Sequence, residues 1–451
     1  MSLRRFPHAE IVSPDVLGEH LKFRNGRETN NRFLKAALTE IQSSYYPDEP
    51  KRHGLPTDAI LNIYDKWGNG SFGMILTSNV LVDPTNLEAA GNAIIFKEGD
   101  CHERRALFTY WAKLMKQDGA LAVMQISHAG RQTPVFVNPT PWSASDVQLV
   151  SAARFTTYGK PKPLSTEQVE TEVVDRFVYA AKFAYECGFD GIQLHGAHGY
   201  LLSQFTSPTT NKRVDKYGGS LENRQRIVIE IYDAIRAEIP ASTGFLIGIK
   251  TNSVEFQSEG LTLEDAKTMC QVYESKGFDF VELSGGTYEQ LNWTWEREST
   301  KKREAFFVEF AEQIRPVFNK TVVYLTGGFR TVSAMINAIS CNATQGIGLG
   351  RPITAEPDLP KKILKGRVIS AVQDSFNPND IATTALASGT QMDQMGRTSL
   401  EKASGNIMHL ITDFSDGLTV QKFCEALGHH VEQAALDISE GKIPKAIIAF
   451  N

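Results

Sequence analysis

Eight short apolar runs recur along the chain, at residues 32–39, 73–80, 120–127, 189–195, 244–251, 278–284, 321–327 and 344–350. Each has strand length. Several are apolar almost throughout, as strands covered on both faces are, and each opens into polar, glycine-containing sequence. Between the later runs the apolar positions take on a helical period. Ser165 stands three residues before Gln168, the spacing of a capping box, ahead of a pattern that stops at Gly188. Ser220 opens a second helix that ends before Pro240, and Thr262 with Asp265 opens a third that ends at Gly277. The runs 304–318 and 331–340 continue the alternation. Eight strands alternating with helices predict an α/β fold, a (β/α)8 TIM barrel, rather than an open doubly wound sheet.

The barrel is expected over residues 30–365, after an N-terminal segment 1–29 and before a C-terminal helical extension 366–451. That span exceeds the roughly 250 residues usual for the fold. The surplus sits mainly in 128–164, a long Pro- and Thr-rich loop between the third and fourth strands. A second loop, 283–299, carries Tyr288 and two tryptophans that could line a pocket.

Composition narrows the partners more than the fold. With 47 basic and 52 acidic residues, a net charge of −5 and the signs well mixed, neither nucleic acid nor an anionic membrane is expected as the main partner. Five scattered cysteines, none in CxxC spacing, suggest neither a disulfide framework nor a thiolate metal site. No leader-like segment or long apolar run is evident, so a cytoplasmic protein is expected, with a homodimer favoured by the apolar helical faces of the extension.

In a barrel of this kind, chemistry is done at the carboxyl ends of the strands. Thr39, Ser78, Gln125, His195, Lys250, Ser284, Gly328 and Gly350-Arg351 stand there. The glycines after runs seven and eight leave backbone N–H groups open to an anion, and Arg351 adds a fork of donors, so a phosphate site is expected there. The fourth run ends in "HGAHGY", which places His195, His198 and Tyr200 in one glycine-punctuated turn. Two imidazoles three residues apart can both donate to one carbonyl oxygen, with a phenol nearby as proton source. A metal pair is disfavoured, because HxxH lacks the glutamate of HExxH. Lys250 stays open: it is either a Schiff-base nucleophile, as in an aldolase-type barrel, or a permanent cation facing negative charge.

Residues 188–226, "GFDGIQLHGAHGYLLSQFTSPTTNKRVDKYGGSLENRQR" from Gly188, resemble the Old Yellow Enzyme family of FMN-dependent ene-reductases. "NNRFLKAALTE" (30–40), "MQISHAGRQ" (124–132), "TGGFRT" (326–331) and "GLGRP" (348–352) agree in order and spacing. The resemblance implies FMN across the barrel mouth, with Ala37, Leu38 and Thr39 along the flavin, Ser78 near the ring, and Gln125 on its pyrimidine. Gly328, Gly350 and Arg351 would hold the phosphate, and Lys250 would face the ring. NADPH or NADH would supply hydride. His195 and His198 would bind the oxygen of a small α,β-unsaturated carbonyl substrate, and Tyr200 would protonate its α-carbon. Lys250 replaces an arginine common in the family, and Ala36-Ala37 replace a proline. Paired histidines resemble the bacterial-type branch. Larger relatives add an iron–sulfur cluster and a second flavin domain; FMN alone is expected here.

Overall fold

The computed structural model describes residues 3–7, 9–46, 48–150, 157–252, 259–284, 308–377 and 380–450. Eight strands are all parallel to their neighbours and close on themselves: β1 Phe33–Lys35, β2 Met74–Leu81, β3 Leu121–Ser127, β4 Gly191–Gly196, β5 Leu246–Asn252, β6 Phe280–Ser284, β7 Val322–Thr326 and β8 Gly346–Leu349. This is the (β/α)8 barrel that the apolar runs predict. The first run was expected to be a strand over 32–39, but pairing covers only Phe33–Lys35. Beyond it the Ala36 N–H still reaches the Leu349 carbonyl at 3.0 Å, after which the chain leaves the sheet.

Helices α1 Asp58–Gly68, α2 His102–Met115, α3 Asp175–Glu186, α4 Leu221–Glu238, α5 Leu263–Lys276 and α6 Val332–Ser340 cover the outside. Their starts follow local chemistry. Ser165 and Gln168 exchange both bonds of the capping box, ahead of a π-helical segment Val169–Val174 that runs into α3. Thr262 and Asp265 do the same at α5, which ends on Gly277 at φ +96°. Of the run 304–318, residues 308–314 are helical and the earlier ones lie outside the described residues, as does most of loop 283–299.

The barrel interior begins as an apolar floor of Leu34, Met74, Leu121, Leu246, Phe280 and Val322, at the strand starts. Leu21 and Phe23, from a hairpin of Leu21–Lys22 and Glu28–Thr29, pack against that floor. The hydrophobic stopper leaves the opposite, carboxyl end for polar groups. After the barrel, α7 Ile381–Gly396 packs on α1, and α8 Gly417–Ser439 joins it around Phe376, Phe414 and Phe423. Among the described residues no helix is long and apolar enough to cross a membrane.

Candidate active site

Strand register assembles the polar end. Because side chains alternate in and out along a strand, residues two apart share the interior. Gln193 and His195 therefore point inward from β4, and register sets Gln125 beside Gln193 and His195 beside Lys250. Lys250 is in turn the register partner of Glu282 on β6. Gln125 Nε2 donates to Gln193 Oε1 at 2.7 Å, and Lys250 Nζ to Glu282 Oε1 at 2.9 Å. Both members of that ion pair are buried. A Schiff-base nucleophile needs a free amine lone pair, so a lysine held by a carboxylate gives the aldolase alternative no support.

After β4 the chain turns sharply. His198 adopts φ +58°, unusual outside glycine, and its backbone N–H donates to Asn252 Oδ1 at 3.2 Å. Its Nε2 lies 2.8 Å from Ser284 Oγ, so β5 and β6 together hold the strained residue in place. The turn swings the His198 ring back to within 5.5 Å of His195, nearly perpendicular to it. Tyr200, the N-cap residue of the short helix Leu201–Thr206, lays its ring 4.3 Å from that of His195. His195 is only 5 % exposed, and its Nδ1 is buried with no hydrogen-bond partner.

Burial pushes both imidazole pKa values down, and the Lys250 cation adds to the effect. His195 falls well below the usual histidine range, and His198 falls to about 3. At neutral pH each ring is uncharged, with one N–H to give and one lone pair.

The remaining sequence-derived residues stand in or beyond the carboxyl halves of β1, β2, β3, β7 and β8. Ser78 and Gln125 are buried where β2 and β3 slip register between Leu76 and Asn79, and Thr77 Oγ1 bridges the slip by accepting from the Gln125 N–H. Thr39 Oγ1 lies 3.3 Å from both Asn79 Oδ1 and Glu88 Oε2. Ala37 packs on the interior cluster, and Leu38 would touch a Cβ on Gly350 at 3.6 Å. At Gly348 a Cβ would fall 1.7 Å from Thr326 Oγ1, itself buried without a partner. Gly328 takes φ +78°, and the following Arg330 turns back onto the Phe329 carbonyl at 2.8 Å. Arg351 donates to Thr384 Oγ1 of α7 at 2.6 Å and lines, with Arg330, a cavity of about 60 Å³.

Gln193, Glu282, Asn252 and Thr384 were not singled out from sequence. Parity could have found three of them, since Gln193 precedes His195 by two, Glu282 precedes Ser284 by two and Asn252 follows Lys250 by two. Thr384 leaves no such trace.

The comparisons with known proteins agree with one another. The model of the NADH:flavin oxidoreductase / NADH oxidase family matches residues 18–369. The NADH-dependent flavin oxidoreductase nadA of Aspergillus parasiticus is 38% identical over 419 residues, which span 92% of this chain and 93% of that one. The NADH-dependent flavin oxidoreductase iliE of Hypocrea jecorina is 33% identical over 362 residues, 76% of this chain and 88% of that one. In fold, the old yellow enzyme from Trypanosoma cruzi superposes with a TM-score of 0.65 at 18% identity, covering 80% of this chain and 94% of that one.

The barrel mouth suits a flat, polar-edged ring with an anionic tail. Gln125 and Lys250 supply amide and cation at its interior edge, two buried polar atoms (His195 Nδ1 and Thr326 Oγ1) lack partners, and a Cβ on Gly350, just after β8, would meet nothing nearer than Leu38 at 3.6 Å. Such a mouth, on a chain matched over most of its length, belongs to the NADH:flavin oxidoreductase family of the Old Yellow Enzyme type, with FMN and a nicotinamide nucleotide as its cofactors.

Proposed function

We propose that the protein reduces the activated C=C bond of small α,β-unsaturated carbonyl compounds, with NADH as electron source, as the names of its relatives suggest. One observation carries this reading. Two uncharged imidazoles lie 5.5 Å apart beside a tyrosine ring, and the Nδ1 of one of them, His195, is buried with nothing to bond. That arrangement fits an oxygen whose negative charge grows during reaction.

FMN, held at the mouth, would supply the hydride chemistry, with the nucleotide as its source of electrons. The chain does the rest. His195 and His198 donate N–H groups to the substrate oxygen and stabilise the enolate as charge develops there. Being neutral, they do so without first drawing an anion into the site. Tyr200 gives its phenolic proton to the α-carbon, and solvent restores it. Gln125, Ser78 and Thr39, with Ala37 and Leu38, are the proposed supports of the ring, and Lys250 faces its electron-rich edge. Gly328, Gly350 and Arg351 are the proposed phosphate anchor. FMN is proposed as the only bound redox group.

Rapid-mixing kinetics test the assignment. Tyr200→Phe should leave reduction of the bound flavin by NADH within about twofold of normal and slow re-oxidation by an enone by about 10²-fold or more, the usual worth of a positioned acid. An unchanged oxidative half-reaction removes Tyr200 from the mechanism.

A further inference from the structure

Beneath the histidines lies a polar layer whose hydrogen bonds have a fixed direction. Glu282 is a carboxylate, which only accepts. Its Oε1 takes the bond from Lys250 Nζ at 2.9 Å, and its Oε2 takes one from Gln193 Nε2 at 2.8 Å. The position between Gln193 and β6 is Gly248, with no side chain to block the reach; a Cβ there would sit 2.2 Å from the Phe280 ring. With its amide nitrogen committed to Glu282, Gln193 presents its carbonyl to Gln125, whose Nε2 donates to it at 2.7 Å. Gln125 is thereby turned as well, so that its own Oε1 is the end left for a ligand. Gln125, Gln193, Lys250 and Glu282 are all buried, so water does not scramble the sequence of donors.

We infer that Glu282 is a positioning residue for the cofactor, orienting Gln125 as an acceptor for an imide N–H and tempering the charge of Lys250. The inference rests on the proposed roles of Gln125 and Lys250 towards FMN. An imide edge carries one N–H between two carbonyls, and an acceptor aimed at that N–H selects the edge. Lys250 alone would favour the reduced, more negative flavin strongly; the paired carboxylate holds that preference back.

The holoenzyme tests both halves. In Glu282→Gln the midpoint potential of bound FMN should rise, with the ratio of its oxidised-state to reduced-state dissociation constants increasing at least tenfold, about 30 mV for two electrons. Lys250→Met should move it the other way by a similar factor, and the double variant should return close to wild type. A role confined to packing would lower thermal stability without these opposed shifts. Gln193→Leu changes no charge and keeps the inference falsifiable if Glu282→Gln does not fold. Wild type should bind 3-methyl-FMN at least tenfold more weakly than FMN, and this variant should lose most of that discrimination. FMN-saturated variants with unchanged potentials, or Gln193→Leu with undiminished discrimination, overturn the inference alone. Wild-type protein that takes up no FMN overturns it together with the functional reading.

Discussion

His195 and His198 stand where a positive charge is poorly solvated and faces Lys250, and this has a consequence for the whole protein's acid stability. The folded-state pKa of His198 is about 3, and that of His195 is also well below 6.5. In the unfolded chain both titrate near 6.5. Between those values the unfolded state binds protons that the folded state refuses, so stability falls as pH drops below about 6.5, by about 1.4 kcal/mol per pH unit per histidine. Urea titrations at pH 7.5, 6.5, 5.5 and 4.5 should show this slope, and the double variant His195→Asn, His198→Asn should flatten it. Equal slopes in both proteins would mean that the imidazoles are solvated. The histidine–tyrosine turn was legible in the sequence because its chemistry is local, six residues from His195 to Tyr200. The Lys250–Glu282 pair was not, because 32 residues separate its members and only the β5–β6 register brings them together.

At the scale of elements, the short β1 shows how a buried pair shapes the segment proposed to line the flavin. Lys35 points outward under α1, where its ammonium meets the Tyr64 hydroxyl at 3.1 Å, the Leu76 carbonyl at 2.9 Å and the Trp67 ring face at 4.2 Å. Glu40 folds back to within 3.6 Å of it and accepts from Tyr64 at 2.8 Å. Burial lowers the Lys35 pKa to about 8 and raises that of Glu40. The pair ties the two ends of Ala36–Thr39 to the barrel wall, which is why strand pairing stops after Lys35. The largely apolar run 32–39 gave no warning of this, since its ending depends on a charge five residues away. By contrast, the capping boxes at Ser165 and Thr262 read correctly, because donor and acceptor lie three residues apart. Lys35→Met, which strands the carboxylate, should destabilise by about 3–5 kcal/mol, while Lys35→Met with Glu40→Gln should recover much of that loss. A double-mutant cycle in denaturant checks it; additive losses would show that the two groups do not act as a pair.

Across the whole molecule, the C-terminal extension is stitched to α1 and to the segment that follows β8. Lys66 Nζ of α1 donates to the Met395 carbonyl at 2.7 Å, Asn62 Nδ2 to Gly396 at 2.9 Å, and Thr354 Oγ1, just after β8, to Gln391 Oε1 at 2.8 Å. Arg5 adds a bidentate bond to Glu356 at 3.1 and 2.7 Å, so both chain ends meet beyond β8. None of these contacts is foreshadowed by sequence spacing, because each joins residues more than 30 apart that only the tertiary packing brings together. The same seam includes Arg351 and Thr384. In its proposed role on phosphate oxygens, the Arg351 guanidinium would gain from being held at a further N–H, and the Thr384 hydroxyl accepts from it at 2.6 Å. Thr384→Val keeps the shape of α7 and removes that bond. The variant should bind FMN about 2- to 10-fold more weakly, the range expected for one hydrogen bond worth roughly 0.5–1.5 kcal/mol. Riboflavin, which lacks the phosphate, should bind wild type and variant alike. Quenching of flavin fluorescence on titration into apoprotein separates the two ligands. An equal loss for riboflavin would show that α7 supports the ring site as a whole rather than the anchor of its anionic tail.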